Sequence, residues 1–152
     1  MKKYFTAKTA KDLQILGEIL AQKSSVALHI YFSGDLGVGK TTLVRGFLRG
    51  LGYTSLVKSP TYTLVESYII AQSTIHHFDL YRLQDSLELE NIGIRDYFTK
   101  ETFCLLEWPE RAAAILPKPD WFINIMNNNG ERHIMIESIT PRGKQILRTI
   151  DS

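Results

Sequence analysis

The sequence predicts an α/β fold of three layers around a mixed sheet, with a parallel centre and antiparallel hairpins at its flanks. Three observations lead there. A nearly continuous apolar run, Val26 to Phe32, passes directly into a glycine-rich stretch and then into residues of helical periodicity. A second short apolar run, Phe103 to Leu106, closes on an acid, Glu107. Turn signals separate further β-rich runs, so strand and helix alternate at the start of the chain and hairpins come after.

Taken in order, Thr9-Ala10-Lys11-Asp12 reads as a helix start, with Leu13, Leu16, Gly17 and Leu20 on one face of that helix. Val26 to Phe32 is the pattern of a strand buried on both faces. Beyond the glycines, Leu43, Phe47 and Leu51 recur at helical spacing, and Gly50 to Gly52 ends that helix. Tyr62 to Ile70 and Thr74 to Leu80 are β-rich runs joined by small polar residues, which predicts a hairpin. A helix is expected over 85–98, with Leu87, Ile94 and Phe98 facing inward. Phe103 to Leu106 is a strand, and Pro109 opens a short helix that Pro117 ends. Trp121 to Met126 and Arg132 to Ile136 flank Asn129-Gly130, a hairpin turn signal. The tail, Pro141 to Ser152, is expected as one more helix, with Arg142, Lys144 and Arg148 on a solvated face.

At 152 residues the chain is expected to form a single domain, 1–152, large enough to bury a real core. Hydrophobic residues make up 44% and charged residues 22%, the balance of an ordinary globular protein. A net charge of +2 is too small to argue for nucleic acid by itself. Cys104 is the single cysteine, which excludes an internal disulfide and suits a reducing compartment. Its apolar neighbours predict a buried, inert thiol. Met1 to Thr6 carries two lysines without a long apolar stretch behind them, and no run approaches the length of a membrane span. A cytoplasmic protein with no membrane partner is the expectation.

Gly34-Asp35-Leu36-Gly37-Val38-Gly39-Lys40-Thr41 fits G-x-x-x-x-G-K-[ST] at every fixed position. Glycines let the backbone wrap tightly and aim successive N–H groups at a phosphate chain. The helix behind them presents its positive end to the same anion. Lys40 then places a compact charge by the β- and γ-phosphates, and the Thr41 hydroxyl ligates Mg²⁺. With the strand before and the helix after, the expected fold is P-loop NTPase-like. Asp35, Leu36, Gly37, Val38, Gly39, Lys40, Thr41 and Thr42 are the candidate binding residues, and ATP with Mg²⁺ the candidate ligands.

A P-loop needs an acid at the end of a neighbouring strand to hold the metal directly or through water. Glu107 and Asp79 are the candidates, and the apolar run before Glu107 favours it for the metal. Asp79 is then free to orient or deprotonate the attacking water. A solvated acid at a strand end is the alternative for either. Ser59-Pro60-Thr61-Tyr62-Thr63 reads equally as a loop that senses the γ-phosphate or as the Ser/Thr-rich start of a strand. His76 and His77 are strand neighbours on opposite faces, so a structural role is expected for both. Trp108 beside Glu107 is either a core tryptophan or a contact residue at the catalytic edge.

Gly34 to Thr42, Ser59 to Val65, His77-Phe78-Asp79-Leu80-Tyr81-Arg82-Leu83, Glu88-Leu89 with Gly93, and Glu107-Trp108-Pro109-Glu110 together resemble the bacterial TsaE (YjeE) family. The resemblance runs from about residue 9 to 117, in matching order and spacing. It implies a modified P-loop fold, slow ATP hydrolysis and Mg²⁺. It also implies a complex with the TsaD–TsaB pair, which attaches the threonylcarbamoyl group to adenosine 37 of tRNAs reading A-starting codons. The tRNA is then met indirectly, through that complex. By the same resemblance Lys40 and Thr41 serve phosphates and metal, Glu107 the metal and Asp79 the hydrolytic site. Trp108 becomes a candidate partner contact, the Ser59 to Thr63 loop a switch, and Arg132 a residue near the nucleotide. Val38 replaces the usual alanine of the loop, and Ser86-Leu87 replaces a common Pro-Glu pair.

Two other classes compete. A small-molecule kinase would close an arginine-rich lid over the phosphates, but Arg82, Arg95 and Arg111 are scattered along the chain. A nucleotide-gated binding switch with negligible turnover is the other. Its GTP-specific form would need an Asn-Lys-x-Asp or Thr-Lys-x-Asp segment, and the nearest, Thr99-Lys100-Glu101-Thr102, lacks the aspartate, while an ATP-dependent form shades into the slow ATPase.

Overall fold

The computed structural model describes residues 1–151. Its strands are β1 (Lys2–Ala7), β2 (His29–Ser33), β3 (Val65–Ile70), β4 (Ser73–Asp79), β5 (Thr102–Glu107), β6 (Trp121–Asn128) and β7 (Glu131–Ser138). They form one sheet in the order β1-β7-β6-β2-β5-β4-β3. The four central strands β6, β2, β5 and β4 run parallel, and antiparallel pairs β1–β7, β7–β6 and β4–β3 flank them. The mixed sheet with a parallel centre is therefore as expected.

The helices divide between the faces. On one lie α1 (Ala10–Lys23) and α2 (Lys40–Gly50), and on the other α3 (Leu87–Asn91) and α4 (Ile94–Tyr97). Leu13, Leu16 and Leu20 of α1 and Leu43, Phe47 and Leu48 of α2 pack on Ile30, Phe32 and Leu105 of the sheet. Beneath the opposite face, Tyr31, Phe78 and Leu106 meet Leu83, Leu89 and Ile94. The parity of β2 explains both clusters, since Ile30 and Phe32 face one layer and Tyr31 the other.

Two helix boundaries depart from expectation. The stretch 85–98 is not one helix, because Gly93 takes a left-handed conformation (φ 69°) between α3 and α4 and ends the first of them. Leu87 is consequently exposed, and the fully buried Leu89 takes the inward position. The last helix, α5 (Pro141–Leu147), begins at the Thr140 cap, whose side chain accepts from the Gly143 N–H, and stops well before the terminus. Ile150 is then turned into the core, and its carbonyl accepts from Lys3 Nζ. Ser152 lies outside the described residues. Arg142 does not lie on a solvated face, since it pairs with the buried Asp120 at 2.7 Å. β1 was not anticipated, although its residues alternate between exposed and partly buried along β7.

α1 and α2 approach closely enough that a methyl group on Gly46 would overlap the carbonyl of Gln14. This contact sets the position of α2, and with it the start of the glycine loop. Gly46→Ala is expected to cost about 1–3 kcal/mol through overpacking. The thermal midpoint should fall by about 2–4 °C per kcal/mol; an unchanged midpoint would show that the helices can separate freely. Cys104 is fully buried on β5, and burial pushes its thiol up to about 12. The folded protein should resist alkylation at pH 8 and react only on unfolding, as mass spectrometry with and without denaturant would record.

Candidate nucleotide-binding site

The glycine loop leaves the end of β2 and runs into α2 with Gly37 at φ 77° and Gly39 at φ 121°, conformations that side-chain-bearing residues rarely adopt. Gly39 occupies the cap position of α2 without any side-chain hydrogen bond, and the first turn carries no acid. The helix therefore keeps its N-terminal N–H groups free of side-chain caps, as an anion site requires. Val38 is buried, whereas Asp35, Leu36 and Gly37 form an exposed tip.

Lys40 is buried at 4% exposure and donates to the carbonyls of Gly34 and Asp35, the latter at 3.0 Å. Its ammonium also lies 4.0 Å from the centre of the Trp108 ring. Burial lowers its pKa, opposed by the charges of Glu107, Glu110, Asp79 and Asp35. The side chain is thus held among loop carbonyls, aromatic face and carboxylates, at the height where the loop turns into the helix.

Beside it, Thr41 Oγ1 donates to Glu107, 2.9 Å from Oε1 and 3.1 Å from Oε2. Glu107 ends β5, and the register pairs it with Phe32 on β2 and with Asp79 on β4. Both acids are buried, so neither is a solvated strand end. Asp79 Oδ2 accepts from the Thr61 hydroxyl at 3.0 Å and its Oδ1 from the Tyr81 N–H at 3.0 Å. Residues 61–63 form a turn, Leu64 has φ 68°, and β3 begins only at Val65. The strand-start reading of Ser59 to Thr63 is thereby corrected: these residues turn rather than extend, left-handed Leu64 redirects the chain ahead of β3, and Thr61 reaches Asp79 instead.

A hydroxyl and a carboxylate in contact at the start of α2 are suitable donors for Mg²⁺, which commonly takes one or two protein oxygens beside phosphate and water. Among the described residues no group of three or more His, Cys, Asp or Glu forms a closed metal cage. Trp108 has a left-handed backbone (φ 63°), and its N–H donates to the Phe32 carbonyl at 3.2 Å. It is a half-buried residue over Lys40, packed against Tyr81 and Arg111, rather than a core tryptophan. A non-glycine residue in that conformation stores strain that surrounding contacts must offset.

Arg132, on β7, reaches the other side of the loop and donates from Nε to the Val38 carbonyl at 2.7 Å. With Lys8, Thr9, Gly39 and Thr42 it borders a recess of about 190 Å³. Of the scattered arginines, Arg82 stacks on Tyr62, Arg95 pairs with Glu90, and Arg111 lies near Trp108. Two contacts were beyond the reading of the sequence. Thr61 holds Asp79, and His77 lies 2.6 Å from Glu107. The strand period would have revealed the second, because His77 and Asp79 share a face.

A parallel sheet core, a glycine loop feeding a helix, and a buried acid on the adjacent strand define the P-loop NTPase-like class of fold. A crystal structure of Bacillus subtilis YdiB shares this fold at a TM-score of 0.82, with 24% identity, covering 98% of this chain and 93% of that one. The family model described as "Threonylcarbamoyl adenosine biosynthesis protein TsaE" matches residues 7–134, and the chain belongs to the TsaE family. It is similar to the tRNA threonylcarbamoyladenosine biosynthesis protein TsaE of Haemophilus influenzae, 50% identical over 137 residues that span 90% of this chain and 85% of that protein. The protein of the same name from Bacillus subtilis is 38% identical over 118 residues, 77% of this chain and 73% of its own. The family takes part in tRNA threonylcarbamoyladenosine biosynthesis.

Proposed function

We propose that this chain is a P-loop ATPase, one domain over 1–152, that binds ATP with Mg²⁺ and hydrolyses it slowly in the cytoplasm. Its partners are the TsaD–TsaB pair, and it meets tRNA through them while N6-threonylcarbamoyladenosine is formed at position 37. The observation that supports this most is the Thr41–Glu107 contact at the mouth of the glycine loop, within a chain of the TsaE family. The described residues contain no helix long and apolar enough to cross a membrane.

In this reading Asp35 to Thr42 wrap the phosphates, with backbone N–H groups and Lys40 spreading their charge. Thr41 and Glu107 would hold Mg²⁺, which would supply positive charge against the phosphates. Water attacks the γ-phosphorus in line; the bond to the bridging oxygen breaks, giving ADP and inorganic phosphate. Asp79, steadied by Thr61, positions that water and accepts its proton. Arg132 braces the loop through the Val38 carbonyl and borders the recess beside Thr42, where the nucleoside side of the ligand fits.

Lys40→Ala is expected to lower ATP turnover by about 10²–10³, the usual loss for one charge-stabilising donor, and to abolish any ATP-dependent association with TsaD and TsaB. Co-purification of wild type and variant, with and without ATP, tests the association, and a turnover assay tests the rate. Normal hydrolysis by the variant would show that the phosphate site lies elsewhere. Thr41→Ala and Glu107→Ala should each raise the Mg²⁺ concentration needed for half-maximal turnover, whereas Asp79→Ala should lose turnover at an unchanged Mg²⁺ midpoint. Identical magnesium titrations for the Glu107 and Asp79 variants would undo that division of labour.

A further inference from the structure

His77 lies on β4, two residues before Asp79, and is fully buried. Register pairs it with Leu105 and pairs Asp79 with Glu107, so the imidazole shares a sheet face with both acids. Its Nε2 lies 2.6 Å from Oε2 of Glu107. With Nε2 donating to this oxygen, the other ring nitrogen, Nδ1, faces the core. Among the described residues Nδ1 is the one buried side-chain polar atom without a hydrogen-bond partner. Leaving a buried polar ring nitrogen unpaired costs stability, a cost that a leucine in this core position would avoid. What the histidine offers in return is its hydrogen bond to Glu107.

That bond has a geometric consequence. Glutamate has one more rotatable side-chain torsion than aspartate, so a single contact leaves its carboxylate free to swing. Thr41 approaches both oxygens, and among the described residues only His77 distinguishes them, by engaging Oε2 alone. Asp79, opposite in the register, is held separately by Thr61 and the Tyr81 N–H.

We propose that His77 is the positioning residue of the metal-binding carboxylate: its Nε2–H fixes Glu107 so that one oxygen stays aligned with the Thr41 hydroxyl. This rests on the reading of Thr41 and Glu107 as the magnesium pair. Groups that orient a metal ligand in this way are typically worth 10–100-fold in metal affinity. The histidine touches neither nucleotide nor metal, so its effect should appear in magnesium dependence rather than in binding of metal-free nucleotide.

Calorimetric titration of the full chain with ADP, first in EDTA and then across Mg²⁺ concentrations, tests it in wild type, His77→Leu and His77→Gln. Thermal unfolding of each variant records packing separately. In His77→Leu, ADP affinity in EDTA should stay within about threefold of wild type while the Mg²⁺ midpoint rises about 10–100-fold. In His77→Gln, whose amide N–H can stand in for Nε2–H, the midpoint should stay near that of wild type. If the leucine variant does not fold, His77→Asn replaces it, since its shorter amide cannot reach Glu107. An unchanged magnesium midpoint in the leucine variant, or equal shifts in the leucine and glutamine variants, would overturn the positioning role and leave the P-loop reading standing. A wild type that binds no ADP, or binds it without regard to Mg²⁺, would instead overturn both.

Discussion

Everything at the site depends on the register of β5 against its two parallel neighbours. Phe32 pairs with Glu107 on one side and Asp79 pairs with Glu107 on the other, so three strand ends finish level with one another. β2 then releases the glycine loop directly above the two acids, and α2 begins with Thr41 already in contact with Glu107. A slip of one residue would turn Glu107 to the opposite face, toward Tyr31 and Phe78 of the neighbouring strands. The location is also the one favoured in open α/β sheets, outside the carboxyl ends of the parallel strands.

Burial of charge separates structure from function here. Among the described residues the buried polar or charged side chains are Lys40, His77, Asp79, Glu107 and Asp120. Asp120 is accounted for structurally: it pairs with Arg142, accepts from Thr140 and from the His29 N–H, and ties β2 to α5. Those hydrogen bonds and the nearby guanidinium overcome burial and hold its carboxyl below the ordinary range. The other four converge at the end of β5, where a single lysine faces two carboxylates. Polar groups gathered in a buried place cost stability, and that cost sets this cluster apart from the apolar core around it.

Much of the fold was legible because its elements announce themselves locally. The run before the glycine loop, the helical spacing of Leu43 and Phe47, and the Asn129-Gly130 turn each carry a period or a turn chemistry that needs no partner to be read. β1 escaped because Lys2 to Ala7 is an edge strand whose alternation is weak, and only its pairing with β7 makes it one. Helical spacing over-extends the helix across 85–98 for a related reason: Leu87 and Ile94 fit the period, but Gly93 in its left-handed conformation and the burial of Leu89 divide it. Local spacing is blind to which of two leucines a neighbouring strand will cover.

The glycine loop, its lysine and threonine, and the acid after an apolar strand are readable from the sequence, because each is set by residue types at short fixed spacing. Only the tertiary structure decided which side chains face one another across strands. It placed Asp79 level with Glu107, set Trp108 over Lys40, brought Arg132 to the Val38 carbonyl, and turned His77 from a strand residue into a neighbour of Glu107. Those contacts join residues 28 to 94 positions apart, and nothing in local periodicity encodes a register between strands that far separated.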